Sequence, residues 1–237
     1  MTQSLEAIDI REVARRTGLT SRALRFYEAP IGKKVVMAVT GAILFGFVFV
    51  HMAGNLQIFL GAEAFDAYGR LLRTEPALLW LARLILLGSV ILHVVAAIQL
   101  SLLKKKARPI EYQKKENVDS SLASRTMIWS GILVALFIVY HIMNLTLGAV
   151  GLPFEEGHVF DNAVATFRIP AISIAYIVAM ILLGFHLNHG VWSMFQSLGV
   201  SNPRYSAGLK SFAAIFSALV VLGFISIPIA IMAGYGS

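Results

Sequence analysis

The 237-residue sequence contains no cysteine and very little charge. Without cysteine there can be no disulfide, no iron–sulfur cluster held by this chain and no thiolate–iron bond, so a metal cofactor must be held by histidine. Only 14% of residues are charged while 57% are hydrophobic, and the mean hydropathy is +0.74. A soluble domain cannot cover its surface with so few polar groups, which leaves an integral membrane protein. Also missing are a glycine-rich phosphate loop, a flavin motif and any recognisable nucleophile. The formal net charge of +7 does not signal nucleic acid here, because the basic residues cluster between apolar runs, where membrane topology accounts for them.

Five apolar runs fill most of the chain: Lys34 to Gly61, Ala77 to Leu103, Thr126 to Gly151, Ile169 to Leu198 and Lys210 to Tyr235. Each reaches the roughly 20 residues that a spanning helix needs. The expected fold is all-α, an integral membrane five-helix transmembrane bundle. With the N-terminus cytoplasmic, 16 of the 20 lysines and arginines fall on the inner side and 4 on the outer; the opposite orientation would translocate most of them. The expectation is therefore a cytoplasmic N-terminus and a C-terminus outside, with the lipid bilayer as the main surroundings. Short connections make successive helices antiparallel neighbours. No repeat of fixed period and no low-complexity tract stand out. Small residues such as Thr40, Gly41, Gly46, Gly88, Ser89 and Gly184 stud the spans, where they serve either close helix approach or a flat cofactor. Pro170 falls in the first turn of the fourth span, where it costs no hydrogen bond, whereas Pro228 falls inside the fifth and is expected to kink it.

Residues 1–32 form a separate polar, basic segment ahead of the membrane domain at 33–237. It suggests a helix near Ile8 to Thr17 and another near Ser21 to Ala29. The stretch IDIREVARRTGLTSRALRFYE resembles the helix-turn-helix that opens regulators of the mercury-resistance repressor family. That motif needs a wing and a dimerisation helix, and membrane sequence begins instead, so a cytoplasmic amphipathic helix on the membrane or on a partner subunit is expected, with no nucleic-acid partner. The first span is too long for a signal-peptide core, and no cleaved leader is expected.

Four histidines lie inside the spans: His51, His93, His141 and His186. An ionisable side chain at such depth is a functional hypothesis by default. Counting about 1.5 Å per residue from the inner helix ends places His51 and His141 in the outer half and His93 and His186 in the inner half, two levels very roughly 10 Å apart. Each level draws one imidazole from each of two helices. That is what two bis-histidine haems require, and such haems carry one electron each with no open coordination site. Single membrane histidines also serve in packing or proton relay, but four on four helices, paired by depth, favour haem. His189 lies one turn from His186 on the same face, so by spacing either could be the ligand. His158 falls in a polar outer loop and reads as solvent-facing. Arg83 and Arg168, near outer span ends, either snorkel or meet haem propionates.

Several stretches together resemble one family: RFYEAPIGKKVVMAVTGAILFGFVFVHMAGNLQIFLG in the first span, ASRTMIWSGILVALFIVYHIMNL in the third and FHLNHGVWSMFQSLG in the fourth. Over about residues 30–237 the chain resembles the cytochrome b membrane anchor of succinate:quinone oxidoreductases and fumarate reductases, in the five-helix, two-haem class. The resemblance implies two haem b groups, an outer one on His51 and His141 and an inner one on His93 and His186. His186 is preferred over His189 because it stands four residues before Gly190, Val191 and Trp192. His189 is left for a propionate, a quinone or a hydrogen bond. The resemblance also implies a flavoprotein subunit and an iron–sulfur subunit as partners, menaquinone or ubiquinone as electron acceptor, and the bacterial cytoplasmic membrane as location. Within such an enzyme this subunit would hold no succinate-converting residue and would pass electrons from the iron–sulfur subunit to quinone. Glu63, Asp66 and Arg70, in the outer loop AEAFDAYGRLLR, are candidates for the quinone pocket. Some diheme members carry a proton-conducting glutamate two residues before the fourth histidine; this chain has Gly184 there. Other assignments consistent with the same residues are a diheme cytochrome b of a nitrate reductase or hydrogenase, and a proton-coupled transporter without haem.

Overall fold

The computed structural model describes residues 21–107, 122–200 and 202–236. The expected helix near Ile8 to Thr17 and the last eight residues of the KKKARPIEYQKK loop lie outside these residues. Among the described residues the regular elements are all helical: α1 (Ser21–Glu28), α2 (Pro30–Asn55) continued by a 3-10 segment (Leu56–Leu60), α3 (Ala62–Leu71), α4 (Pro76–Lys106), α5 (Leu122–Leu145), α6 (Val159–Phe167), α7 (Pro170–Ser197) and α8 (Ser206–Met232). Five of them, α2, α4, α5, α7 and α8, are long and apolar enough to cross a membrane.

Three of these begin with proline in the first turn, Pro30, Pro76 and Pro170. The proline has no N–H to leave unsatisfied there, and its φ suits the helix. A side chain at Gly32 would overlap the Phe26 carbonyl, so glycine permits the close approach of α1 to the start of α2. At the far end of α2, Gly61 at φ 97° breaks the helix, a conformation that disfavours any residue with a Cβ. The third span ends at Leu145, short of the expected Gly151, where Gly148 and Gly151 take positive φ and turn the chain. Buried Pro228 lies inside α8, which continues through it to Met232.

α2 and α7 form the centre. α4 lies along α2, α5 lies along α7, and α8 packs against α7 and α2. The backbones of α4 and α7 do not pack along each other, nor do those of α2 and α5. The remaining faces are apolar and open: Trp129 of α5 is 71% exposed and Leu84 of α4 is 61% exposed. Such surface is untenable in water and is what a lipid-facing helix presents.

The two ends of the bundle differ. One carries α1 and the lysines closing α4, joined where the Tyr27 hydroxyl donates to Gln99 Oε1 at 2.9 Å. The other is closed by α3, α6 and the 3-10 segment. There Ile58, Phe65, Phe160, Val164, Phe167 and Tyr176 form a buried cluster with Ile227 and Ile231 of α8. The stretches expected as outer loops are thus largely helical. Their apolar residues recur at helical spacing, but the helices are too short to stand out from polar neighbours.

Candidate functional site

The four span histidines meet in two pairs. His51 of α2 and His141 of α5 stand edge to face with ring centroids 5.8 Å apart. His93 of α4 and His186 of α7 do the same at 6.3 Å. These are the pairs expected from depth, and each joins two helices whose backbones do not pack together. His93 lies level with Thr40 on α2, eleven positions before His51. The two levels are therefore about 16 Å apart along α2 at 1.5 Å per residue, farther than counting from span ends suggested. That count assumed all helices begin at one height, whereas α2 starts at Pro30 and α4 extends to Lys106.

The ring nitrogens of the His93–His186 pair are oriented by neighbouring helices. His93 Nδ1 lies 3.1 Å from the Met37 carbonyl and 3.2 Å from Thr40 Oγ1. A carbonyl only accepts, so Nδ1 carries the proton and Nε2 keeps its lone pair. The Thr40 hydroxyl gives its own proton to the Val36 carbonyl at 2.7 Å and presents a lone pair to His93. On the other side the Ser130 hydroxyl donates to the Met127 carbonyl at 3.1 Å, and its oxygen lies 3.5 Å from His186 Nδ1. Glycines next to these hydroxyls make room: a Cβ at Gly41 would lie 3.4 Å from His93 Cε1, and one at Gly131 3.3 Å from His186 Cε1.

The second pair has different surroundings. Phe47 stacks on His51 at 5.1 Å and Phe137 on His141 at 5.7 Å. Tyr176 Oη lies 3.5 Å from His141 Nδ1 and accepts from Asn144 Nδ2 at 3.1 Å. The Thr166 hydroxyl donates in turn to Asn144 Oδ1 at 3.5 Å. Asn144, Thr166 and Tyr176 are all buried, so this chain of polar groups connects the end cap to the imidazole. It escapes sequence reading because its members come from three helices, with no spacing to reveal them.

Apart from His189, the other expected site residues are not gathered around the histidines. Arg83 lies exposed over the Trp80 ring at 5.1 Å. Arg168 donates to the Gly236 carbonyl at 2.7 Å and ties down the last described turn. Neither makes a hydrogen bond or ring contact to any of the four imidazoles. His189 is half-buried, one turn beyond His186. Glu63 and Arg70 are exposed on α3. Asp66 Oδ1 accepts the Phe160 N–H at 2.9 Å and so caps the first turn of α6. His158 is exposed beside Glu155 and Asp161, each 3.5 Å away. Gly184 faces α8: a Cβ there would fall 2.5 Å from Val221 Cγ2. Among the small residues, Gly184 thus serves helix approach, and Gly41 seats an imidazole.

Compared with family models, curated proteins and solved structures, the chain matches none. The class that fold and site define is a five-helix membrane bundle carrying two facing imidazole pairs at two depths.

Proposed function

We propose that the chain is the diheme cytochrome b anchor of a succinate:quinone oxidoreductase, holding one haem b between His51 and His141 and another between His93 and His186. The observation that carries this reading is the pairing itself: four imidazoles from four helices meet two by two across gaps between helices. The ring centroids, 5.8 and 6.3 Å apart, would leave room for one iron held by an imidazole nitrogen from each side. The proton on His93 Nδ1 leaves the Nε2 lone pair free, and this nitrogen would hold the iron. When bound, each haem would supply a one-electron couple. The chain's residues would hold the two couples at fixed depths, with Phe47 and Phe224 packed on His51 and Phe137 on His141.

The wider assignment rests on the family resemblance. It includes the flavoprotein and iron–sulfur partners, menaquinone or ubiquinone as acceptor, the bacterial cytoplasmic membrane and an N-terminus inside. The distribution of charge supports the orientation: α1 and the lysines ending α4 share one end of the bundle, which the positive-inside rule assigns to the cytoplasm. In that frame His93 and His186 are the inner pair.

The test is a reduced-minus-oxidised spectrum and haem quantitation on the protein purified with its associated subunits. Two low-spin haems per chain, with a flavoprotein and an iron–sulfur protein copurifying, are expected. Absence of a Soret band would falsify the reading.

A further inference from the structure

The two halves of the site repeat one another in a way the linear sequence hides. Thr40, Gly41, Phe47 and His51 on α2 correspond at a constant offset to Ser130, Gly131, Phe137 and His141 on α5. Each set does the same things in space. The hydroxyl is back-bonded to its own helix and faces the Nδ1 of the inner histidine on the following long helix, Thr40 toward His93 and Ser130 toward His186. The glycine lies against that ring's Cε1. The phenylalanine stacks on the histidine one turn further along, Phe47 on His51 and Phe137 on His141. Eleven positions make three turns of helix, so cradle and outer histidine share one face. No repeat was expected from the sequence, because four matching positions are lost among interchangeable apolar residues.

We propose that Thr40 and Ser130 are equivalent positioning residues of the inner imidazole pair, in a site built from two copies of one helix-pair unit. Thr40 shares the Nδ1–H of His93 with the Met37 carbonyl and Ser130 faces Nδ1 of His186; each hydroxyl helps keep Nε2 aimed at the other ring and raises the imidazole's electron donation. The Cβ-free surface of the neighbouring glycine lets the ring come close enough to be held. The hydroxyl near the outer pair is that of Tyr176 on α7, 3.5 Å from His141 Nδ1, so Thr40 and Ser130 act on the inner level alone. The inference rests on the haem reading above.

The experiment compares Thr40→Val, Ser130→Ala and Thr40→Ser with wild type in the full chain with its associated subunits. The readouts are haem content, potentiometric titration of both haems and the low-spin ferric resonance. Removing one of the two groups that share the His93 Nδ1–H, the Met37 carbonyl remaining, weakens donation to iron, so the inner haem should become easier to reduce. Its reduction equilibrium is expected to shift at least twofold, about 18 mV at 59 mV per tenfold. The outer haem should not move, and Thr40→Ser should restore wild-type behaviour. Loss of the inner haem alone in Thr40→Val, with restoration in Thr40→Ser, also supports the role. Two haems with unchanged potentials and resonances in both deletion variants overturn it, as does loss of both haems together, which marks a packing role. Wild-type protein without haem sinks the parent reading, and this outcome is distinct from either.

Discussion

Gly184 of α7 is pressed against Val221 of α8 so closely that a Cβ at position 184 would lie 2.5 Å from the valine methyl. Any side chain there forces the valine or α8 to shift, and a glutamate would start into the helix contact. Gly184→Ala is expected to lower stability by about 1–3 kcal/mol through overpacking. Val221→Ala should recover most of it in the double variant, as read from thermal unfolding in detergent. Equal losses with and without the valine substitution would place the constraint elsewhere.

With haem bound as proposed, the pairing of histidines predicts which group each one holds. His93→Ala and His186→Ala should each lose one haem, the same one, and His51→Ala and His141→Ala the other, by quantitation and difference spectra. Retention of two low-spin haems in any of the four would break the assignment.

Asn144, Thr166 and Tyr176 form a buried polar chain ending near His141. Asn144→Ala strands the Tyr176 hydroxyl and is expected to cost about 1–3 kcal/mol, whereas Tyr176→Phe removes the hydroxyl itself. Both should move the potential of the haem on His51 and His141 and leave the other in place. The check is a redox titration beside a melting curve. A drop in stability with neither potential moved would make the chain purely structural.

For Asp66 two roles can be separated. As the acceptor for the Phe160 N–H it stabilises the end cap, so Asp66→Ala should cost about 0.5–2 kcal/mol and Asp66→Asn much less. Quinone reduction should follow stability in both. If Asp66→Asn is stable but slow with quinone, the carboxylate takes part in proton exchange.

Much of the site was legible without coordinates, and particular residues show why. His51 and His141 pair because both lie far along helices that run in the same direction, and a fixed rise per residue converts sequence position into height. Arg168 was not legible in this way: its partner is a carbonyl near the other end of the chain, and no local pattern announces that contact. Asp66 reads as a loop carboxylate until α3 and α6 are seen to pack on each other. The repeat of Thr40–Gly41 and Ser130–Gly131 was equally hidden, since it depends on which face of each helix meets a neighbour.

Composition and spacing alone determined that the chain is an all-helical, five-span bundle and that its histidines occupy two levels. Helix length and rise are local properties, and the cost of charge in an apolar medium is a general one. Only the tertiary structure decided the tautomer of His93, the glycine seats of the His93 and His186 rings, the polar chain behind His141 and the capping of one end by α3 and α6. Each of these depends on helix rotation and on contacts between distant segments, and the apolar stretches of a membrane helix leave that rotation unspecified until neighbouring helices pack against it.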